Sequence, residues 1–477
     1  MRSRRSARAS ERMRRPQPLL KQRMPSGRGA TEQPNITSGG ADVLTPRFWM
    51  MVVLTGIAAG LLGALMMAIL FNVEYAAFGY HSGTFQHGVE QAPAARRIAS
   101  LLIAGVFGGV AWFLLRRYTK GEPSEIDEVV WNGDGRLSFR RCLGTSVISE
   151  VVIGMGASIG REAAPKLLSG ASGSVLAGWG GLSAQQRRLL VACGGGAGFA
   201  AVYNVPLAGA LFTAEILLGS ISLPVILPAV VCSWIATATA WVYLPDRAIY
   251  RGIPDYHVTW SLMIWALAAG PVIGLVSAGY IRLIGWVSYH RVSGTRALFA
   301  PVIAFGILGV IGIWYPQLFG NGLDMAHDAF LGIGGFSLLL VLFALKPLVT
   351  ALCLGSGASG GLFTPTLATG AVLGGALGIA WSLAWPGSPS GAFAMVAAAM
   401  IGASLQAPLS GLALVLELTH SGFGLMVPMT AATAIATLVA FHVDGYSIYS
   451  ARLPAYAADS APAAPEDGRA DHRPAGQ

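Results

Sequence analysis

Charged side chains are scarce in this chain: Asp, Glu, Lys and Arg make up 12% of its 477 residues, against 54% hydrophobic residues. Soluble domains carry about a quarter charged residues, so the scarcity excludes a soluble enzyme or binding module as the bulk of the molecule. Cysteine is scarcer still, with Cys142, Cys193, Cys232 and Cys353 scattered singly through apolar segments. Without close pairs they build neither a disulfide framework nor a zinc site, and they read as small buried hydrophobes. No metal and no cofactor is expected. Also missing is a signal-peptide core, because the first apolar run starts only at Phe48 and is a full span long.

Apolar length and glycine are abundant, with 62 glycines and apolar segments from Phe48 to His442. This describes an all-α integral membrane protein: one membrane domain over 47–453, a basic disordered tail over 1–46 and a second disordered tail over 454–477. Met1–Pro46 holds nine Arg and one Lys, six basic residues lie between Arg116 and Arg141, and Phe71–Ala95 has none. Basic loops stay on the cytoplasmic side, which places the N-terminus there in a multi-pass topology. The same tail accounts for much of the net charge of +9. Its basic residues suit an anionic lipid surface, and no basic patch interleaved with stacking aromatics suggests nucleic acid.

The spans are of two kinds. Segments near 49–71, 98–115, 222–244, 260–288, 298–315 and 333–353 are long, whereas 142–156, 188–203, 205–218, 392–404 and 407–420 are short and broken by Gly or Pro. Backbone that stops inside a membrane must be buried in protein or line a cavity, so short segments point to a transport path. Two signatures recur. Gly156-Ala-Ser-Ile-Gly-Arg-Glu162 returns as Gly357-Ala-Ser-Gly-Gly-Leu-Phe363, and Asn204-Val-Pro-Leu-Ala-Gly209 with Glu215 returns as Gln406-Ala-Pro-Leu-Ser-Gly411 with Glu417. The displacements are nearly equal, which predicts two homologous halves, about 100–245 and 298–441.

Each Gly-rich turn precedes a helix start, whose free N–H groups attract anions. The N–H groups around Gly160, Arg161 and Ala163, and around Gly361, Leu362 and Phe363, are therefore candidate anion ligands that act by dipole rather than full charge. Glu162 is a tethered anion at the same place, a gate that protonation would release; the bland alternative is a cap or a pair with Arg161. Glu215 and Glu417 are read chiefly as structural acids bonded to nearby backbone, with a proton path as the lesser reading. Gly156-Ala-Ser158-Ile-Gly160 also fits a nucleophile elbow, but no histidine is placed to serve Ser158 as a base, so an intramembrane hydrolase is a distant alternative.

Gly160-Arg-Glu162, Gly361-Leu-Phe-Thr-Pro365, the Asn204-x-Pro-Leu-Ala-Gly209 segment and Tyr449-Ser-Ala451 together resemble the CLC family of chloride channels and chloride/proton antiporters. The resemblance runs from about 48 to 453. It implies two inverted repeats with many tilted and broken helices, and a bacterial inner-membrane homodimer in which each subunit has its own pore. Chloride is the implied cargo, joined by protons in an antiporter. Leu362 and Phe363 N–H and the Tyr449 hydroxyl are the implied ligands, and Glu162 the gate. The resemblance is to members without C-terminal nucleotide-binding domains.

Two positions depart from the family pattern. Gly121 falls where an inner serine ligand is expected, so that restoring the hydroxyl with Gly121→Ser is expected to strengthen chloride binding. The same gap makes another small anion, fluoride or nitrate, the alternative cargo. Ile216 falls where antiporters carry an intracellular proton-handling glutamate, which tilts the reading toward a channel or a weakly coupled antiporter.

Overall fold

The computed structural model describes residues 43–453; the predicted tails lie outside the described residues, apart from 43–46. Thr45, Pro46 and Gly79 delimit the first helix, α1 (Pro46–Phe78). The Thr45 hydroxyl accepts from Phe48 N at 3.2 Å, Pro46 takes the first turn, and Gly79 closes the end at φ 73°. The rest of the first half is α2 (Phe85–Gln91), α3 (Ala94–Tyr118), α4 (Ile126–Trp131), α5 (Phe139–Gly154), α6 (Ala163–Trp179), α7 (Ala184–Tyr203), α8 (Pro206–Phe212) with a π turn at Thr213–Leu217, and α9 (Leu223–Ala240). The second half is α10 (Trp260–Tyr289), α11 (Ala300–Ile311), α12 (Leu323–Phe330), α13 (Phe336–Gly355), α14 (Phe363–Ala384), α15 (Ser390–Ala397), α16 (Met400–Leu405), α17 (Pro408–Thr419) and α18 (Met426–Val443).

Among the described residues, eight helical segments are long and apolar enough to cross a membrane: α1, α3, α9, α10, α11 with the turn before it, α13, α14 and α18. The outward faces of the long helices are apolar, as at Met50, Leu54, Leu61 and Leu65 of α1. No water drives helices together in lipid, so close packing must do it, and small residues permit it. Gly56 and Gly60 of α1 lie against α9, where a Cβ on Gly60 would meet the Ala236 carbonyl oxygen at 2.5 Å. Gly270 and Gly274 of α10 repeat this against α18, with the Ala436 carbonyl oxygen 2.7 Å from a Cβ on Gly274. This GxxxG pair is a third repeated signature, and the motif comparison did not find it.

Contacts between the halves are reciprocal. Glu215 accepts from Leu409 N at 3.2 Å and Ser410 N at 2.6 Å, at the start of α17. Glu417 accepts from Leu207 N at 3.0 Å and Ala208 N at 2.7 Å, at the start of α8. Each carboxylate thus satisfies the orphan donors of the other half's helix, where the dipole favours an anion. Reciprocity of this kind requires a two-fold relation, which matches inverted repeats.

Candidate functional site

The two Gly-rich turns meet. Gly156 at φ 111° and Gly357 at φ 105° adopt the same left-handed conformation, which glycine alone takes without strain, and each turns the chain from one helix toward the next. Gly160 N donates to Gly361 O at 2.8 Å and Gly361 N to Gly160 O at 2.7 Å, an antiparallel pair that pins the starts of α6 and α14 side by side. Each of these two N–H groups is therefore engaged by the other residue's carbonyl oxygen, whereas the sequence pattern alone had left them free for an anion.

Glu162 stands at the N-cap position of α6 without its side chain capping that helix, and is 1% exposed. Its carboxylate crosses to the other half, where Oε1 accepts from Phe363 N at 2.7 Å and Oε2 from Thr364 Oγ1 at 3.3 Å, while Oε2 also accepts from the Tyr203 hydroxyl of its own half at 3.2 Å. The anion at the second helix start is thus the protein's own. Leu362 is the N-cap residue of α14 and is buried beside it.

Two cavities flank this carboxylate. The first, of about 150 Å³, is lined by Arg161 with Glu74, Tyr80, Ile153 and Asp324. The second, of about 50 Å³, is lined by Ala163, Ala164, Lys166, Gly361, Ser149 and Tyr449. Residue 161 faces one cavity and residues 163 and 164 the other, so Glu162 stands between them. Arg161 also lies over the Phe71 and Tyr203 rings, at 5.8 and 5.3 Å. Phe199 packs on Phe363 at 4.6 Å and on Phe212 at 5.2 Å, and Phe212 meets Tyr449 at 6.0 Å, so an aromatic wall joins the carboxylate to the second cavity.

Lys166, which the motifs did not single out, puts a full charge on that second cavity. Its Nζ lies 4.3 Å from the centroid of the Tyr449 ring and 3.9 Å from Asp127 Oδ2. Lys346 was missed as well: buried in α13, it donates to Ser158 Oγ at 2.9 Å and Gly320 O at 2.8 Å, tying the first turn to the second half. A signal for both lysines was available, namely a charge within an apolar segment. Tyr203 and Thr364 offered no comparable signal, since their partners are distant in sequence.

The remaining candidates stand apart. Gly121 is exposed, at φ 81°, and a Cβ there would meet nothing within 4 Å. It belongs to a turn in which Glu122 accepts from the Ser138 hydroxyl and from Arg140 at 2.9 Å, and the Ser138 bond foremost holds the Glu122 carboxyl below its usual value. The second cavity takes Glu125 and Asp127 from this region, not Gly121. Ile216 is buried in the π turn beside Glu215 and lines neither cavity. Among the described residues no group of His, Cys, Asp and Glu is arranged to hold a metal ion.

Residues 105–441 match the family described as voltage gated chloride channel. The chain is 28% identical over 371 residues, 75% of its length, to a protein of Vibrio campbellii named H(+)/Cl(-) exchange transporter ClcA, of which 79% is covered. It is 29% identical over 412 residues, 84% of its length, to a Salmonella typhi protein named voltage-gated ClC-type chloride channel ClcB, of which 97% is covered. The fold matches a crystal structure of a slow cyanobacterial Cl-/H+ antiporter with a TM-score of 0.74 at 23% identity, covering 85% of this chain and 97% of that one.

Proposed function

The chain belongs to the voltage gated chloride channel family, and from that premise we propose that it is a chloride transporter in which Glu162 is both gate and proton carrier. The observation that carries this reading is the 2.7 Å bond from Phe363 N to Glu162 Oε1. A helix-start donor suited to a mobile anion is held by a tethered one, and the two compete for the seat. Protonation removes the charge, weakens the Phe363 bond and lets chloride in; chloride leaving allows the carboxylate to return and release its proton. Chloride and protons then move in opposite directions.

The second cavity supports an anion's approach. Lys166 and Tyr449 line it, and Gly361 stands both in its wall and in the backbone pair beside Glu162. The basic segments support a cytoplasmic N-terminus in a bacterial cell membrane, which makes the second cavity the inner one and the cavity at Arg161 the outer one. Two copies of the chain form the working unit, each with its own pathway.

Purified protein in liposomes under an imposed chloride gradient tests the reading. Chloride flux that rises as pH falls and drives protons against their gradient is expected. Chloride flux without proton movement assigns a channel instead, and an assembly that passes fluoride or nitrate in place of chloride assigns the other cargo.

A further inference from the structure

We propose that Glu150 is a second proton-carrying group of the pathway, relaying protons between the inner cavity and Glu162. The inference rests on the reading of Glu162 as a proton carrier, and it supplies a route where Ile216 offers none. Glu150 is the only carboxylate of α5 and is 0% exposed, and neither of its side-chain oxygens has a hydrogen-bond partner. Buried acids without donors are costly as anions and gain nothing structurally as neutral acids, because an apolar side chain of that size would fill the space better. Such a group inside a membrane protein marks a pathway.

The position fits a relay. Residues three and four apart share a face of a helix, so Ser146, Glu150 and Ile153 stack along α5. Ser146 lines the inner cavity and Ile153 the outer one, with Glu150 between them. Ser146 and Ser149 offer hydroxyls on the inner side, bonded to Ala164 O at 3.0 Å and Ser359 O at 2.7 Å.

The charges around it come from the elements packed on α5. Arg161 and Glu162 come from the turn before α6, and Glu74 from α1. The charged residues of α3, Arg96, Arg97, Arg116 and Arg117, lie near that helix's two ends. Arg161 is the complement that a relay requires, since its Nε is buried and has no hydrogen-bond partner. An orphaned donor and an orphaned acceptor pair thus lie within electrostatic reach of each other. In the step itself, the Glu150 carboxyl gives its proton through water to the Glu162 carboxylate. Glu162 becomes neutral, Glu150 becomes an anion held by Arg161, and a proton from the inner cavity restores Glu150.

Glu150→Gln keeps the shape and removes the exchangeable acid. In liposomes with a chloride gradient, this variant is expected to retain chloride flux within about twofold of wild type while its proton-to-chloride ratio falls at least about tenfold. Glu150→Leu should lose coupling too, with a melting temperature equal to or above that of wild type, and Glu150→Asp should keep it. Wild-type coupling in the Gln and Leu variants overturns the relay and leaves the Glu162 gate standing. A wild-type protein that moves no protons overturns the gate's proton role and the relay with it.

Discussion

The strength of the Glu162 latch can be altered without touching Glu162. Tyr203→Phe keeps the ring that packs on Phe199 at 5.3 Å and under Arg161, and removes only the hydroxyl that donates to Glu162 Oε2 at 3.2 Å. A hydrogen bond to a charged group contributes about 1.5–3 kcal/mol. This one is longer than the roughly 2.5–2.7 Å usual for hydroxyl to carboxylate, so about 1.5 kcal/mol is the fitting value. The loss falls on the seated, ionised carboxylate, and 1.4 kcal/mol is about a factor of ten in an equilibrium constant. Apparent chloride affinity should therefore rise about tenfold, and the pH of half-maximal flux should move up by about one unit. The Thr364 hydroxyl, 2.6 Å from the Tyr203 oxygen and 3.3 Å from Oε2, can turn fully to the carboxylate in the variant and recover part of the loss. The double variant Tyr203→Phe/Thr364→Val should accordingly exceed the single one. Chloride titration by calorimetry and pH-dependent flux in liposomes measure both quantities; an unchanged or weakened affinity in both variants would refute the competition between Glu162 and chloride.

Other expectations follow from single contacts. Gly121→Ser, proposed from the family pattern as a restored ligand, should leave chloride affinity unchanged, because the position is exposed and away from the cavity; at φ 81° it should instead cost about 1 kcal/mol of stability, seen as a lower melting temperature. Lys166→Met removes one of the two basic side chains, with Arg452, that line the inner cavity and should weaken chloride binding by about tenfold, roughly 1.4 kcal/mol; a binding curve unchanged by the variant would place the anion elsewhere. Glu417→Ala strips both cap bonds from the start of α8 and Glu215→Ala those from the start of α17, and each should lower stability by about 1–2 kcal/mol while leaving proton-to-chloride coupling intact. Loss of coupling in either variant would return that acid to the proton path.

The fold was legible where repetition made it so. Prolines at equivalent places, Pro206 and Pro408, marked the starts of the short helices in both halves, and the folded chain puts Asn204 and Gln406 before them in the left-handed region. The pairing of the Gly-rich turns was legible as an equivalence, yet its contact was not: spacing says that Gly160 and Gly361 correspond, and only the folded chain engages the N–H of each with the carbonyl oxygen of the other. The seat of Glu162 was anticipated from the cost of a charge at depth, whereas Tyr203 and Thr364 became partners only through packing across 41 and 202 residues of chain. Loop alignment pointed to Gly121 as a ligand position, whereas the folded chain leaves Gly121 exposed and takes Asp127 and Lys166 into the wall of the cavity. Lys166, Lys346 and Glu150 carried the same mark as Glu162, a charge in apolar surroundings, without a repeated motif around them to draw notice.

The central claim, that the Glu162 carboxylate occupies the place of a transported anion, is tested most directly by bromide. Bromide diffused into crystals of wild type and of Glu162→Gln at neutral pH can be located by its anomalous scattering. The account predicts a bromide peak at hydrogen-bond distance from Phe363 N in Glu162→Gln, and none there in wild type, where Glu162 Oε1 already lies 2.7 Å from that nitrogen. Bromide at Phe363 N in wild type beside a seated Glu162, or no bromide there in Glu162→Gln, would contradict it.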